Sequence, residues 1–107
     1  MEYNIDMTRG DTLSFGMEFT DLDQDLDTAF FSVKQNIEDD EYLFQKSIGD
    51  GITKISTGKY AVRVAPGDTY NLPLGQYYYD LEISVNDDVL TIIKGILDLG
   101  FDVTREG

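Results

Sequence analysis

Large apolar side chains fall on alternate positions from Leu13 to Phe19, where Leu13, Phe15, Met17 and Phe19 are separated by Ser14, Gly16 and Glu18. Successive side chains of a strand point to opposite faces, so this spacing gathers the four apolar groups on one side; a helix would scatter them around its circumference. The same period returns from Thr28 to Asn36, with Ala29, Phe31 and Val33 on one face and Phe30, Ser32 and Lys34 on the other. From Lys59 to Ala65, Tyr60, Val62 and Val64 alternate with Lys59, Ala61 and Arg63. The strongest segment places Tyr77, Tyr79, Leu81, Ile83 and Val85 on one face and Tyr78, Asp80, Glu82 and Ser84 on the other. Shorter strands are predicted over 4–8 and 42–48, and 52–55 either continues the latter or forms a short bridge.

The last strand runs from Val89 toward Val103. Leu97, Leu99, Phe101 and Val103 alternate cleanly, but the phase is ambiguous across Ile92, Ile93, Ile96 and Leu97, and Gly95 there predicts a bend or bulge. Phe15, Phe31, Val62, Tyr79, Leu81 and Phe101 are thus expected in one core. Between the strands lie Gly, Asp and Asn turns, including Arg9-Gly10-Asp11, Gly49-Asp50-Gly51 and Asn86-Asp87-Asp88. Pro66 to Leu72 interrupts the pattern with room for one helical turn, Asp68 near its start and Pro73 limiting it. About seven short strands with one-sided alternation favour an all-β, immunoglobulin-like sandwich. A small β-barrel is the alternative, because alternation reports a buried face without specifying whether the sheets close.

The 107 residues fit a single domain, 1–107, which would bury roughly 65% of the extended chain's surface. Cysteine and histidine are both absent, which removes disulfides, thiol chemistry, the commonest general base and most zinc ligand sets. Any catalysis would fall to carboxylates, Lys or Tyr, and no enzyme is expected. Twenty-one acidic residues against eight basic ones give a formal charge of −13. Long-range repulsion therefore disfavours nucleic acid and anionic membrane as partners and favours cationic or local, shape-driven contacts. The N-terminus lacks the basic stretch and apolar segment of a secretory signal, so synthesis in the cytosol is the expectation.

The short motifs are better explained by turns than by chemistry. Asp21, Asp23, Asp25 and Asp27 supply the hard oxygen ligands calcium prefers, but Leu26 stands where an EF-hand loop needs Gly and Ser32 where it needs the bidentate Glu. The run Glu38-Asp39-Asp40-Glu41 is expected to be a solvated turn. Asp80 and Glu82 share a strand face, as a glycosidase pair would, without any sign of a cleft. No metal or other cofactor is expected. Tyr78 must point away from the core if its strand is regular, and Phe30, Ile92 and Ile96 could join it in an interface patch.

Thr8-Arg-Gly-Asp-Thr12, Gly49-Asp-Gly-Ile52, Gly58-Lys-Tyr60 and Leu72-Pro-Leu-Gly-Gln-Tyr-Tyr-Tyr-Asp-Leu-Glu-Ile83 occur in an order that resembles short immunoglobulin-like domains of tailed-bacteriophage structural modules. These include N-terminal domains of baseplate and receptor-binding assemblies, and the resemblance spans residues 5–103. It implies a non-catalytic building block of a phage or prophage virion, synthesised in the bacterial cytoplasm. Its expected partners are virion proteins or further copies of itself. The competing expectation is a carbohydrate- or calcium-dependent adhesion module. Exposed aromatics beside polar groups would favour that alternative, and a contiguous apolar patch would favour assembly.

Overall fold

In the computed structural model, which describes residues 2–20 and 22–101, the alternating segments become strands. These are β1 (Ile5–Thr8), β2 (Leu13–Glu18), β3 (Thr28–Lys34), β4 (Phe44–Ile48), β5 (Gly51–Ser56), β6 (Lys59–Val64), β7 (Gly75–Val85) and β8 (Asp88–Gly100). One short helix, α1 (Pro66–Thr69), lies between β6 and β7. A single hydrogen-bonded ladder joins the strands in the order β1-β8-β7-β3-β4-β5-β6-β2. Its pairings are antiparallel except β1 with β8 and β4 with β5. The two ends of the ladder, β1 and β2, are consecutive in the chain, so the ladder curls into a nearly closed small barrel. The all-β expectation is met, and near-closure matches the barrel alternative. Among the described residues there are eight strands, because Gly49 and Gly51, at φ 89° and 95°, divide one extended stretch into β4 and β5.

The inward phases read from the sequence meet in one cluster. Ala29, Phe31 and Val33 of β3, Tyr60, Val62 and Val64 of β6, and Tyr77, Tyr79, Leu81 and Ile83 of β7 are all buried, joined by Leu97 and Leu99 of β8. Fully burying each large apolar side chain contributes about 1.5–3 kcal/mol. Phe31 is central: its ring centroid lies 5.6 Å from Phe15 on β2, 6.5 Å from Phe44 on β4 and 5.5 Å from Tyr79 on β7. In antibody domains a Trp packed on a disulfide ties the two layers together; here three aromatic contacts around Phe31 span the same kind of gap.

The connection from β6 to β7 is braced by polar groups. The Ala65 N–H donates to the Asp68 carboxylate at 2.8 Å, so Asp68 caps the helical turn as its position suggests. Lys46 pairs with the same carboxylate at 2.8 Å. The Tyr77 hydroxyl donates to the Pro73 carbonyl at 2.5 Å, forming a tyrosine corner of the kind found in immunoglobulin-like sandwiches. Burial pushes the Tyr77 phenol above its ordinary value, with Arg9 opposing, and burial likewise raises Tyr79. The neutral phenols are thus favoured by folding. Their contribution is fully present below the unfolded pKa near 10 and is lost as pH rises through the folded values. Urea midpoints should therefore fall above about pH 10, and the fall should shrink in the Tyr77→Phe/Tyr79→Phe double variant. An identical fall in that variant would refute the assignment.

Two expectations for the last strand are corrected. The extra residue in the ladder is Ile92, not Gly95: Leu81 pairs with Ile93 while Glu82 pairs with Thr91. Gly95 instead permits a close backbone approach, since a Cβ there would lie on the Tyr3 carbonyl oxygen. Phe101 is 66% exposed rather than part of the core. The β1 ladder ends at Thr8 opposite Gly100, and the Arg9 N–H bonds the Gly100 carbonyl at 3.1 Å. Phe101 itself lies outside any strand, so its side chain has no core to face. Val103 lies outside the described residues.

Candidate functional site

The outward side chains of β8, β7 and β3 form transverse rows set by strand register. Ile96, Tyr78 and Lys34 lie in one row, followed by Lys94, Asp80 and Ser32, and then Thr91, Glu82 and Phe30. Residues two apart along a strand are roughly 6.6 Å apart, so Phe30 lies about 13 Å from the Tyr78 row. The structure therefore places Tyr78 directly beside Ile96 and separates both from Phe30 by a polar row. Ile92, the bulge residue, packs against the core cluster.

A groove of about 350 Å³ opens over the first two rows, within the size range of small-ligand sites. Tyr78, Ile96, Ser32 and Asp80 line it, with Lys34 and Lys94 beside them. One wall is the N-terminal segment carrying Glu2 and Asn4, and the other includes Ile37, which is 70% exposed. Backbone and side-chain bonds hold the first wall: the Tyr3 N–H donates to the Lys94 carbonyl at 2.9 Å and the Ile96 N–H to Asn4 Oδ1 at 3.0 Å. The Tyr79 hydroxyl donates to the Tyr3 carbonyl from the inner side. On the opposite wall, Lys34 Nζ donates to the Asp39 carbonyl at 2.7 Å, and the Asp39 carboxylate accepts from the Asn36 N–H at 3.1 Å. The carboxylate run 38–41 thus belongs to a solvated turn. Gln45 Nε2 donates to Ser32 Oγ at 2.9 Å and fixes that hydroxyl.

Chemically, the groove offers an aromatic ring, aliphatic edges, a hydroxyl, carboxylates and two ammonium groups. Such a set supports stacking and hydrogen bonding to a bound surface or polar ligand. Sequence reasoning identified Tyr78 as outward and offered Ile96 as a patch residue of ambiguous phase, but missed the walls at Glu2, Asn4 and Ile37. Gly95 held the only local signal for the first wall, and it is ambiguous without the structure.

The other motifs do structural work. Gly10, at φ 83°, donates its N–H to the buried Thr69 hydroxyl at 2.9 Å, and Arg9 donates to the Leu72 carbonyl at 3.4 Å. In the Asp-rich loop Leu26 is buried, its N–H donating to the Tyr60 hydroxyl at 2.9 Å, while Asp25 pairs with Lys54 at 2.7 Å. Asp21 lies outside the described residues, among which no cluster of three or more potential metal ligands occurs. No described helix is long and apolar enough to cross a membrane.

No protein-family model matches the chain, and no characterised protein matches it in sequence. Its fold recurs among solved structures. It is similar to the endo-β-1,4-mannanase from Thermotoga petrophila with a TM-score of 0.57 and 12% identity, over 92% of this chain but only 18% of the mannanase. It is also similar to the extracellular domains of the voltage-gated sodium channel β4 subunit, at a TM-score of 0.49 and 15% identity, covering 95% of this chain and 93% of that one. The mannanase likeness establishes a shared fold alone. With the topology above, it defines this chain as a small all-β domain whose strands nearly close into a barrel.

Proposed function

We propose that the chain is a non-catalytic recognition module that binds another macromolecule through the outer face of β3, β7 and β8. The observation that carries this reading is the Tyr78–Ile96 pair on the floor of a groove whose polar neighbours can fix a partner's orientation. Local complementarity of this kind is what a chain of charge −13 needs to overcome long-range repulsion. The ordered motif resemblance supports a virion protein of a phage or prophage as the partner, with the domain carried into the particle after synthesis in the bacterial cytoplasm.

A second reading is an adhesion module that binds carbohydrate. Tyr78 stands beside Ser32, Asp80 and Lys94, the combination of a half-buried outward ring with hydrogen-bonding groups that favours a sugar over a dry apolar interface. The fold shared with part of a mannanase chain is compatible with this reading. Native mass spectrometry and co-purification with proteins encoded by neighbouring genes, using wild type and Tyr78→Ala, tests the proposal. Complexes lost in the variant with an unchanged circular dichroism spectrum are expected. Wild type that binds no such protein but binds a glycan through this face would replace the virion reading with the adhesion one.

A further inference from the structure

The end of the ladder at β2 presents a strand edge that no described strand covers, on elements separate from the groove. The Phe19 N–H donates to the Gly58 carbonyl at 2.8 Å, extending the register in which Leu13 to Glu18 pair with Val64 to Lys59. Backbone groups in an antiparallel ladder alternate in direction, so odd-numbered residues of β2 bond toward β6. Ser14, Gly16 and Glu18 consequently direct their N–H and C=O groups to the free edge. All three are exposed, and no described strand lies beside them. Of the usual blocks the edge carries only the charge of Glu18: β2 contains no Pro, and its pairing with β6 has no register shift.

We infer that β2 pairs antiparallel with β2 of a second copy of this chain, about a two-fold axis at Gly16. This register puts Ser14 opposite the second copy's Glu18 and Gly16 opposite its Gly16. Each such pair brings together backbone groups that already point outward. On the solvent face Glu18 has Lys59 as its neighbour within the chain, while Ser14 has Arg63. Glu18 therefore falls between Lys59 on its own side and the Ser14–Arg63 pair of the second copy, with no like charges directly opposed. The two glycines meet at the axis without side chains. On the inner face, the partly buried Leu13 and Phe15 gain cover at the seam where the barrel does not close. An isologous pairing of one patch with itself is the commonest form of a symmetric dimer.

Net charge sets the condition for association. Each copy carries −13, so the dimer should tighten as salt screens the repulsion. Sedimentation equilibrium of the full chain should show a monomer–dimer equilibrium that is stronger in roughly 0.3 M NaCl, where the screening length is below about 8 Å, than at low salt. Ser14→Asp places a carboxylate opposite Glu18 in both halves and should weaken the dimer about tenfold or more, whereas Ser14→Lys should tighten it. Ser14 is exposed, so both variants should keep the wild-type circular dichroism spectrum. A chain that stays monomeric at both salt concentrations overturns the inference, as does a dimer indifferent to both substitutions. Dimerisation lost in Tyr78→Ala but retained in Ser14→Asp would also overturn it and assign self-association to the groove.

Discussion

Phe31→Ala is expected to cost about 3–5 kcal/mol of stability, the range for removing a fully buried aromatic whose surroundings cannot collapse. Phe31 is 0% exposed and touches rings on β2, β4 and β7, so its removal leaves a void between both halves of the barrel. For a domain of this size such a loss should lower the melting temperature by roughly 15 °C or more and take much of a typical total of about 5–15 kcal/mol. Urea denaturation of the purified variant measures it. Phe101→Ala serves as the internal contrast: at 66% exposure it should change stability by less than about 0.5 kcal/mol. Equal costs for the two variants would mean that the core has been placed wrongly.

Gly95→Ala should be the most damaging small change on the surface-facing strands, at about 2–4 kcal/mol. The added methyl would lie on the Tyr3 carbonyl oxygen and 2.8 Å from its carbon. Backbone cannot give way as a flexible side chain can, so the N-terminal segment must move. Two hydrogen bonds then fail, from the Tyr3 N–H to Lys94 and from the Tyr79 hydroxyl to Tyr3. A double-mutant cycle separates this mechanism from general overpacking: Tyr79→Phe should cost distinctly less in the Gly95→Ala background than in wild type. Strict additivity would show that Gly95 and Tyr79 do not act through Tyr3.

The fold was legible wherever one strand face is buried. Period-two spacing alone placed Phe31, Val62, Tyr79 and Leu81 in one cluster, because a strand leaves each side chain only two directions. It misplaced Phe101, since alternation continues in the sequence past Gly100, where β8 ends. The site was legible residue by residue but not as a site. Tyr78 meets Ile96 because Asn86 and Asp87, at φ 53° and 68°, turn the hairpin and Ile92 inserts one extra residue. Without that bulge Tyr78 would face Gly95 and Ile96 would point inward, and nothing local distinguishes Ile92 from Ile93 as the inserted residue.

The residues behind the phage resemblance turn out to brace the backbone. Gly10 bonds Thr69, Gly51 turns the β4–β5 corner, Tyr77 closes on Pro73, and a Cβ at Gly58 would stand 2.8 Å from the Phe19 carbonyl. Such residues report how the domain folds. In the proposed function the choice of partner falls to the outward rows of β3, β7 and β8, where sequence spacing alone cannot establish cross-strand adjacency.

Amide chemical-shift mapping of the isotopically labelled chain, titrated to saturation with the partner that co-purifies with it, tests recognition through this face most directly. Perturbations are expected to concentrate at Ser32, Lys34, Tyr78, Asp80, Lys94 and Ile96, with Tyr78→Ala abolishing them. Saturable binding whose perturbations map to the β5–β6–β2 half or the Asp-rich loop, leaving those six residues unchanged, would contradict the account.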